Sequence, residues 1–379
     1  MITPAKTITV CLKAGTVITP AKTITVCLKT GTMMIRGQIL KICHKSRINK
    51  YFYRYQLING LFLMENCIKR LFMPLPAILL IAATAGCQKE PEMTREEYVT
   101  CLVDHVSSDN LESYVRWLEG MGTRFALADN RRDVAEQIRK RFISFGYRDA
   151  ALDSFYLEKT IQGTTYSTWQ YNVIAGISGR EDDSISVVGA HYDSYASGVN
   201  PFVTAPGAND NASGLAGVME IARIVKGSRF IPKYSINFVA FAAEEIGLHG
   251  SRYQADKSAT EGDMIMMMIN HDMISYVANP SAKPWHLNIM HYDNSAGLKN
   301  EAALLCEANS QLRSYSDNTN NERSDSYPYY LNGFRALFFH QSDIESTYHT
   351  TGDRVSVCNF EYAREVVKVS CSLLIYKNL

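Results

Sequence analysis

Five side chains of the types that bind zinc occur in order along the second half of this sequence. Two histidines and three carboxylates supply the nitrogen and oxygen donors that suit Zn²⁺, and one carboxylate can bridge two ions. The five are His191 in GAHYDS, Asp210 in GANDNASG, Glu245 in FAAEEIGLHGS, Asp272 in INHDMIS and His349 in YHTTGD. Glu244 stands beside one of them and is free to act as a base. Such a set predicts a hydrolytic site that holds two metal ions.

Taken singly, several of these motifs have a plain structural explanation. A lone His191 is more often a buried histidine with satisfied hydrogen bonds, and Asp193 could accept its second ring N–H and fix the tautomer. Residues 207–214 are also typical of a turn before a helix. Two adjacent acids after an apolar strand are harder to explain, because like charges repel unless a cation compensates. Asp272 follows a buried run and needs such a partner as well.

Helix and strand patterns alternate along the chain and would position these side chains. Helices are predicted from the capping box at Thr94 and over residues 109–118, 130–145, 213–225, 296–308 and 360–376. Strands are predicted over residues 171–177, 185–189, 234–242, 264–269, 285–290 and 336–340. The alternation predicts an α/β fold with one mixed, mostly parallel sheet covered by helices. Open sheets of this kind bind ligands at the carboxyl ends of strands, which is where we expect the five side chains to meet.

The first 63 residues differ in character from the rest. ITPAKTITVCLK occurs at residues 2–13 and again at 18–29, and two copies are too few for a repeat architecture. Residues 1–64 contain ten Lys or Arg and no acidic residue. We interpret residues 1–63 as an extension upstream of the native start, with a disordered basic tail as the alternative.

Met64 begins a pattern typical of an exported lipoprotein. A short basic region with Lys69 and Arg70 precedes the apolar residues 71–85, which are too few to span a membrane. Small residues then lead to Cys87 and resemble the lipobox of bacterial lipoproteins, with Thr84 where leucine is usual. Residues 64–86 are therefore predicted to be a lipoprotein signal peptide, after which Cys87 becomes the lipidated first residue. The lipid is predicted to anchor the protein to the membrane at the bacterial cell envelope, on the periplasmic or surface side. An ordinary signal peptide and a buried apolar segment are the alternatives.

The division of the mature chain follows from that start. Residues 87–108 are predicted to be a tether and an N-terminal helix, and residues 109–379 a catalytic domain. From Cys87 onward there are 27 basic and 37 acidic side chains, a net charge of −10, although the whole chain has a net charge of +1. An acidic folded part does not resemble a nucleic-acid-binding protein.

Four cysteines lie in the mature chain beyond the proposed lipid site: Cys101, Cys306, Cys358 and Cys371. They allow three pairings, and the sequence does not choose among them. None has the spacing of a metal site.

The five motifs together resemble the di-zinc exopeptidase family of bacterial leucyl-type aminopeptidases, whose relatives include glutamate carboxypeptidases and animal glutaminyl cyclases. The resemblance covers the motifs from His191 to Asp353 and implies a three-layer α/β/α fold. Residue by residue, it implies that His191 and Asp272 bind one zinc ion, Glu245 and His349 bind a second, and Asp210 bridges the two. Glu244 would be the general base, and Asp193 is the other candidate catalytic residue.

The function that this resemblance implies is removal of N-terminal residues from peptide substrates. Two alternatives stay open: a glutaminyl cyclase, which is a single-zinc aminoacyltransferase on the same fold, and a non-catalytic lipoprotein that binds peptides. The sequence departs from the family at Ser326, where histidine is usual, which bears on the substrate pocket. It also departs at His271, which we interpret as a surface residue or one that supports a metal ligand.

Overall fold

A computed structural model of the chain describes residues 24–27, 32–35, 38–41 and 93–379. The chain divides into two compact units, residues 1–91 and 92–379. In the first, strands β1 (Ile24–Cys27), β2 (Thr32–Ile35) and β3 (Gln38–Lys41) form an antiparallel sheet. The predicted signal peptide at residues 64–86, Cys87 and most of residues 1–63 lie outside the described residues.

The second unit contains eight helices and eight strands. The helices are α1 (Arg95–Val103), α2 (Ser108–Glu119), α3 (Arg131–Phe145), α4 (Gly214–Gly227), α5 (His249–Glu261), α6 (Ala296–Asn309), α7 (Ser326–Leu331) and α8 (Phe360–Lys377). The strands are β4 (Ala151–Ile161), β5 (Thr164–Ile177), β6 (Glu181–His191), β7 (Tyr234–Phe241), β8 (Ile265–His271), β9 (Trp285–His291), β10 (Leu312–Tyr315) and β11 (Ala336–Gln341).

The eight strands form one mixed sheet in the order β10-β9-β11-β8-β6-β7-β5-β4. Its central strands β11, β8, β6 and β7 are parallel to their neighbours within that group, and β9, β5 and β4 pair antiparallel outside it. Because the four central strands run in one direction, their carboxyl ends lie at the same edge. The mixed, mostly parallel sheet expected from the sequence is therefore confirmed.

Helices cover both faces of this sheet, as the three-layer expectation required. Alternate residues of a strand point to opposite faces, and Val187 and Val188 belong to different apolar clusters. The larger cluster contains residues of α1 to α4, α6 and α8, whereas the smaller one contains residues of α5 and α7. β8 lies in the middle of the sheet and is buried along nearly its whole length, which explains its continuous apolar run.

The structure departs from the sequence prediction mainly at the sheet edge and on one helix. β4 and the first half of β5 form an edge hairpin whose exposed side chains give no continuous apolar run. Gln162 and Gly163 both have positive φ, the geometry of a tight hairpin turn. α5 was missed because its sequence HGSRYQADKSATE is polar and lacks a clear apolar stripe.

At the amino end of the second unit, α1 packs against α8, so it is part of this unit and not of a tether. The capping box between Thr94 and Glu97 is formed, as the sequence predicts. No described helix is both long enough and apolar enough to cross a bilayer. Cys101, Cys306, Cys358 and Cys371 are all unpaired thiols.

Asn172 of β5 fixes the turn that follows β7. Its side-chain oxygen accepts the N–H of Ala242 at 3.0 Å, and its amide donates to the carbonyl of Gly250 at 2.9 Å. Gly250 in the first turn of α5 also donates its N–H to the Ala242 carbonyl at 2.9 Å. The adjacent acids Glu244 and Glu245 lie between these fixed points.

Gly250 leaves no room for a side chain at this junction. A Cβ there would stand 2.4 Å from the Ala242 carbonyl oxygen and 2.4 Å from the Asn172 side-chain oxygen. A Cβ added at Gly297, in the first turn of α6, would meet no atom within 4 Å outside the backbone of its own helix. We predict that Gly250→Ala lowers the free energy of unfolding by about 2 kcal/mol through overpacking. Gly297→Ala should leave it unchanged or raise it by up to about 1 kcal/mol, because alanine favours a helix.

Urea denaturation of the two variants and the parent protein measures both changes. An equal effect of the two substitutions would show that the junction at Gly250 is not tightly packed.

Candidate metal centre

His191 ends β6 and is buried, with 1% of its surface exposed. Its Nε2 atom faces carboxylate oxygens of three acids: Asp210 at 3.4 Å, Asp272 at 3.5 Å and Glu244 at 3.8 Å. Its Nδ1 atom lies 3.1 Å from the main-chain carbonyl of Asp193. A carbonyl can only accept, so this contact places a ring proton on Nδ1 and directs Nε2 at the acids, where its lone pair could bind a metal ion.

The carboxylate of Asp193 does not accept the ring N–H of His191, which is the role that the sequence suggested. It stands 3.7 Å from His191 Nδ1, beyond hydrogen-bonding distance. It accepts instead the main-chain N–H groups of Glu244 at 3.0 Å and Glu245 at 3.2 Å. Asp193 therefore orients the histidine with its backbone and the turn after β7 with its side chain.

His349 is the second histidine of the cluster and lies in the loop between β11 and α8. Its Nε2 atom is 2.8 Å from Glu245 Oε2 and 3.1 Å from Asp210 Oδ2. The two oxygens of Asp210 thus face different histidines. The sequence placed all five side chains at strand ends, but only His191, Asp272 and Glu245 lie there: His191 ends β6, Asp272 follows β8 and Glu245 lies four residues after β7. Asp210 lies in the segment before α4, and His349 lies in the loop before α8.

The structure brings the five side chains together as two groups that share Asp210. His191, Asp210 and Asp272 form one group, and Asp210, Glu245 and His349 form the other. Within each group the donor atoms all lie within 4.8 Å of one another. Glu244 approaches His191 but belongs to neither group.

Asp353 holds Asp210 in place through the backbone. Its two carboxylate oxygens accept the N–H of Asn209 at 2.7 Å and the N–H of Asp210 at 2.9 Å. Gly207, with φ of +51°, brings the chain so close that a Cβ would meet the Asp210 carbonyl oxygen at 2.4 Å. The Asp210 loop is therefore fixed at both ends before it enters α4.

Asp272 is oriented by a hydrogen-bonded relay from the start of α7. Ser324 donates its hydroxyl to Asp272 Oδ2 at 2.6 Å and accepts the side-chain amide of Asn270 at 2.6 Å. The other oxygen of Asp272 stays directed at His191. This arrangement leaves the Oδ1 atom of Asp272 available to bind a metal ion.

Arg124 ties together the loops on either side of the cluster. It is buried and donates to the carbonyls of Tyr192 at 2.8 Å, Pro206 at 2.8 Å and Gly207 at 2.7 Å. Burial lowers its pKa to about 10, with acids including Asp353 opposing that shift. The guanidinium thus connects the segment after β6 to the loop that carries Asp210.

The electrostatics of the cluster are those of crowded, buried acids. Burial, followed by the charge of Asp210, raises the pKa of Glu245 to about 8. Burial also raises the pKa of Glu244 well above its ordinary value. Burial opposes protonation of His349, yet its hydrogen bonds to Asp210 and Glu245 raise its pKa to about 10. The raised pKa of His349 and the contribution of Asp210 to that of Glu245 express the negative charge of the cluster.

Asp325 adds a further buried acid behind His191. Neither of its carboxylate oxygens has a hydrogen-bond partner, and burial raises its pKa to about 7. Ser326, beside it, is fully buried and has its hydroxyl 2.9 Å from that of Tyr292. The residue that replaces the family's usual histidine is therefore engaged with a tyrosine.

His271 is not a surface residue, contrary to one reading of the sequence. It is fully buried as the last residue of β8, and neither of its ring nitrogens has a hydrogen-bond partner. Its ring makes an edge-on contact with Phe339, with centroids 5.8 Å apart. Burial lowers its pKa to about 3, so it is a neutral side chain of the core.

The donor set fits zinc. Two imidazole nitrogens and three carboxylates match the ligands of this ion, and Glu245 Oε1 is buried without a partner of its own. Buried charges require pairing or coordination, and divalent cations would neutralise the acids. Glu244, whose side chain is 10% exposed, is a carboxylate beside the cluster that belongs to neither donor group.

Several supporting residues were not assigned from the sequence. Asp353 ends the motif YHTTGD and Ser324 lies two residues before Ser326, so their positions were a usable signal. Asn209 likewise lies in GANDNASG, where its amide donates to Gln341 and Glu345. Arg124 had no local signal, because its partners are carbonyls far along the chain.

The comparisons with known proteins agree with this geometry. Residues 172–374 match the model of Peptidase family M28. A probable leucine aminopeptidase of Arthroderma otae is 26% identical over 71% of this chain and 72% of its own. A probable zinc metalloprotease of Leptosphaeria maculans is 30% identical over 47% of this chain. The match spans 44% of that fungal protein's length, less than half of it.

Solved structures share the fold. The aminopeptidase LapA of Legionella pneumophila superposes with a TM-score of 0.64 at 22% identity, covering 76% of this chain and 77% of its own. A glutaminyl cyclase of Fimbriiglobus ruber superposes with a TM-score of 0.58 at 18% identity, covering 72% of this chain and 95% of its own. Since both an aminopeptidase and a cyclase superpose, this likeness establishes the architecture alone.

We predict that Asp353→Ala weakens zinc binding about 10- to 100-fold, because residues that orient ligands contribute on that scale. Loss of the carboxylate removes the hydrogen bonds from the N–H groups of Asn209 and Asp210, which hold Asp210 in place. Isothermal titration of zinc into metal-free protein measures the change. The control is Asp343→Ala, which removes a carboxylate that also accepts a main-chain N–H, from Ala278 at 3.0 Å, but that contacts none of the five side chains. Equal affinities for the two variants would contradict the role of Asp353.

Proposed function

Because this chain belongs to peptidase family M28, we propose that it is a zinc-dependent aminopeptidase that hydrolyses N-terminal residues from peptides. The observation that carries the proposal is the pair of donor groups that share Asp210 beside the unshared Glu244. The relatives whose names specify zinc metalloprotease or leucine aminopeptidase support the same activity.

We propose two zinc sites per chain. His191 and Asp272 would hold one zinc ion, and Glu245 and His349 would hold the other. Asp210 would bind both ions. Support comes from the separate directions of the two Asp210 oxygens, one toward each histidine. When bound, two zinc ions polarise a carbonyl and lower the pKa of water.

Glu244 is proposed as the general base. Its raised pKa suits a group that accepts a proton from water and then donates it to the leaving amine. Asp193 holds its backbone N–H, so the carboxylate is fixed with respect to His191. Asp193 acts by positioning in this scheme, through the tautomer of His191 and the turn that carries both glutamates.

Exopeptidase polarity follows from the acidic character of the same cavity. A free α-ammonium group carries a positive charge, which the excess of carboxylates attracts. The additional buried acid Asp325 strengthens the negative potential. A peptide bond far from the chain terminus lacks that cation and gains no such attraction.

Two other functions make different predictions. A glutaminyl cyclase would need one zinc ion and would act on N-terminal glutamine. A peptide-binding lipoprotein without activity would be expected to have lost metal ligands, and none of the five is missing.

We also propose that the protein is a lipoprotein of the bacterial cell envelope, held to the membrane through Cys87. The support is the sequence pattern: a basic region, a short apolar run and small residues before cysteine. Peptides outside the cytoplasm would then be the substrates.

We predict about two zinc ions per chain in protein that begins at Cys87. A chelator should abolish hydrolysis of an aminoacyl substrate, and added Zn²⁺ should restore it. Metal analysis with parallel assays on leucyl and glutaminyl substrates separates the candidates. Full activity with one ion, or cyclisation of glutamine without hydrolysis, would favour the cyclase.

The two adjacent glutamates should differ in what they control. Glu244→Gln should keep its zinc but lose about 10²- to 10⁴-fold in kcat, since it removes proton transfer. Glu245→Gln should lose zinc as well as activity, because it removes a ligand. Zinc content and kcat measured on each variant distinguish the base from the ligand. Loss of zinc by Glu244→Gln alone would show that Glu244 is the ligand and Glu245 the base.

Cys87→Ser should release the protein from the membrane fraction or leave it uncleaved. Multiple acyl chains anchor firmly whereas one anchors weakly, so the parent protein should need detergent for release. Removal of residues 1–63 serves as the control and should change neither targeting nor activity. A peptide from residues 1–63 in the native protein, found by mass spectrometry, would refute a start at Met64.

A further inference from the structure

An uncharged loop borders the candidate metal centre. From Ser194 to Ala208 the chain has no charged side chain. Three apolar residues of this loop are exposed: Val199 at 45%, Phe202 at 37% and Val203 at 70%. Grouped apolar side chains on the surface of a soluble domain typically mark a binding surface.

The base of the loop is attached to the site itself. Ser197 donates both its N–H and its hydroxyl to the carbonyl of His349, at 2.8 and 2.9 Å. The ring of Tyr195 contacts that of His349 edge-on, with centroids 5.3 Å apart. The loop therefore keeps a fixed position relative to a proposed metal ligand.

Aromatic rings continue outward from this point. Phe125 is 6.0 Å from Tyr195, and Phe202 is 5.0 Å from Phe125 and 5.7 Å from Tyr166, all between ring centroids. We call Phe125, Tyr166, Tyr195 and Phe202 the aromatic ridge. Thr123 fixes its outer end with a 2.6 Å hydrogen bond to the carbonyl of Pro201. The surface is thus formed in advance, which lowers the entropic cost of binding.

We propose that the exposed side chains of Val199, Phe202 and Val203, supported from beneath by the buried ring of Phe125, bind apolar side chains of the peptide substrate beyond its first two residues. This inference rests on the proposed aminopeptidase function. An aminopeptidase holds the N-terminus of its substrate at the metal centre, so the rest of the peptide must leave across the rim. A rim without charge favours apolar side chains over charged ones.

The distances specify which residues of the peptide would be bound. Three ring-to-ring steps of 5.3, 6.0 and 5.0 Å place Phe202 no more than about 16 Å from His349. An extended peptide advances about 3.3–3.6 Å per residue. An extended substrate therefore reaches Phe202 within about its first five residues, and the residues after the first two are the ones free to contact it.

The test compares two peptides that differ only at those positions. Both begin Leu-Gly and continue with either Phe-Val-Leu or Ser-Asn-Gly, and leucine 4-nitroanilide serves as a substrate too short to reach the ridge. We expect the zinc-loaded protein to favour the apolar peptide about five- to tenfold in kcat/KM, as partial burial of one or two side chains allows. Phe202→Ser and Val203→Ser should remove that preference and leave the nitroanilide rate within twofold.

The control is Ile231→Ser. Ile231 is 65% exposed and precedes β7, whose other end leads to the site, so this variant should keep the preference. Val203 makes no ring contact, so Val203→Ser guards against misfolding of the loop in Phe202→Ser. A parent protein without preference, or an equal loss in Ile231→Ser, overturns the proposal.

Binding separates this inference from the activity on which it rests. The same peptides, fluorescently labelled, are titrated into zinc-loaded Glu244→Gln protein with and without Phe202→Ser. Suppose that the wild-type protein hydrolyses no peptide, that Glu244→Gln protein binds the apolar peptide more tightly, and that Phe202→Ser removes this difference. That result would support peptide binding by the ridge and refute the aminopeptidase function. Loss of binding to phosphatidylglycerol vesicles on Phe202→Ser, with peptide preference unchanged, would assign the ridge to the membrane and overturn the proposal.

Discussion

Repulsion among buried carboxylates is the constraint around which the carboxyl edge of this sheet is built. Asp210, Glu244, Glu245 and Asp272 lie within one cluster, and Asp325 stands behind it. Two like charges about 4 Å apart repel by about 4 kcal/mol at an effective dielectric constant near 20. A domain is stable by only about 5–15 kcal/mol in total. Ionised acids at this density therefore require cations, which is the physical reason to regard the cluster as a metal centre.

The fold does not separate these charges from one another. Hydrogen bonds to the backbone hold the segments that carry the acids in fixed positions. Asp353 binds the N–H groups on the Asp210 loop, and Asp193 binds those of Glu244 and Glu245. Arg124 holds the carbonyls of the surrounding loops. In this way acids serve as hydrogen-bond acceptors for the segments that carry other acids. The ligand atoms are then set by main-chain geometry, with little dependence on side-chain freedom.

The same loops connect the metal centre to the proposed substrate surface. His349 contributes its ring to the cluster and its carbonyl to Ser197, so hydrogen bonds hold the loop of this ligand against the loop of the apolar rim. Glu244 lies 3.8 Å from His191 in the same cluster. A peptide held by its N-terminus at the metal centre would extend from there toward the aromatic ridge. Catalysis and selection of the peptide would thus depend on adjacent parts of the same edge.

The sequence by itself identified the five candidate ligands, the candidate general base, the α/β alternation and the apolar central strands. These features are local, because a buried strand such as β8 or a motif such as GANDNASG can be recognised from neighbouring residues. Only the tertiary structure decided how Asp210 is shared between the two histidines and that Asp193 orients His191 through its carbonyl. It alone identified Arg124 and the aromatic ridge, and it alone placed His271 in the core. The contact between Asp193 and His191 is local, and there only the backbone geometry decides between the carbonyl and the carboxylate as partner. The contacts of Asp210 with His349 and of Arg124 with its carbonyls join residues tens to more than a hundred positions apart, and sequence patterns carry no record of which distant group a side chain will meet.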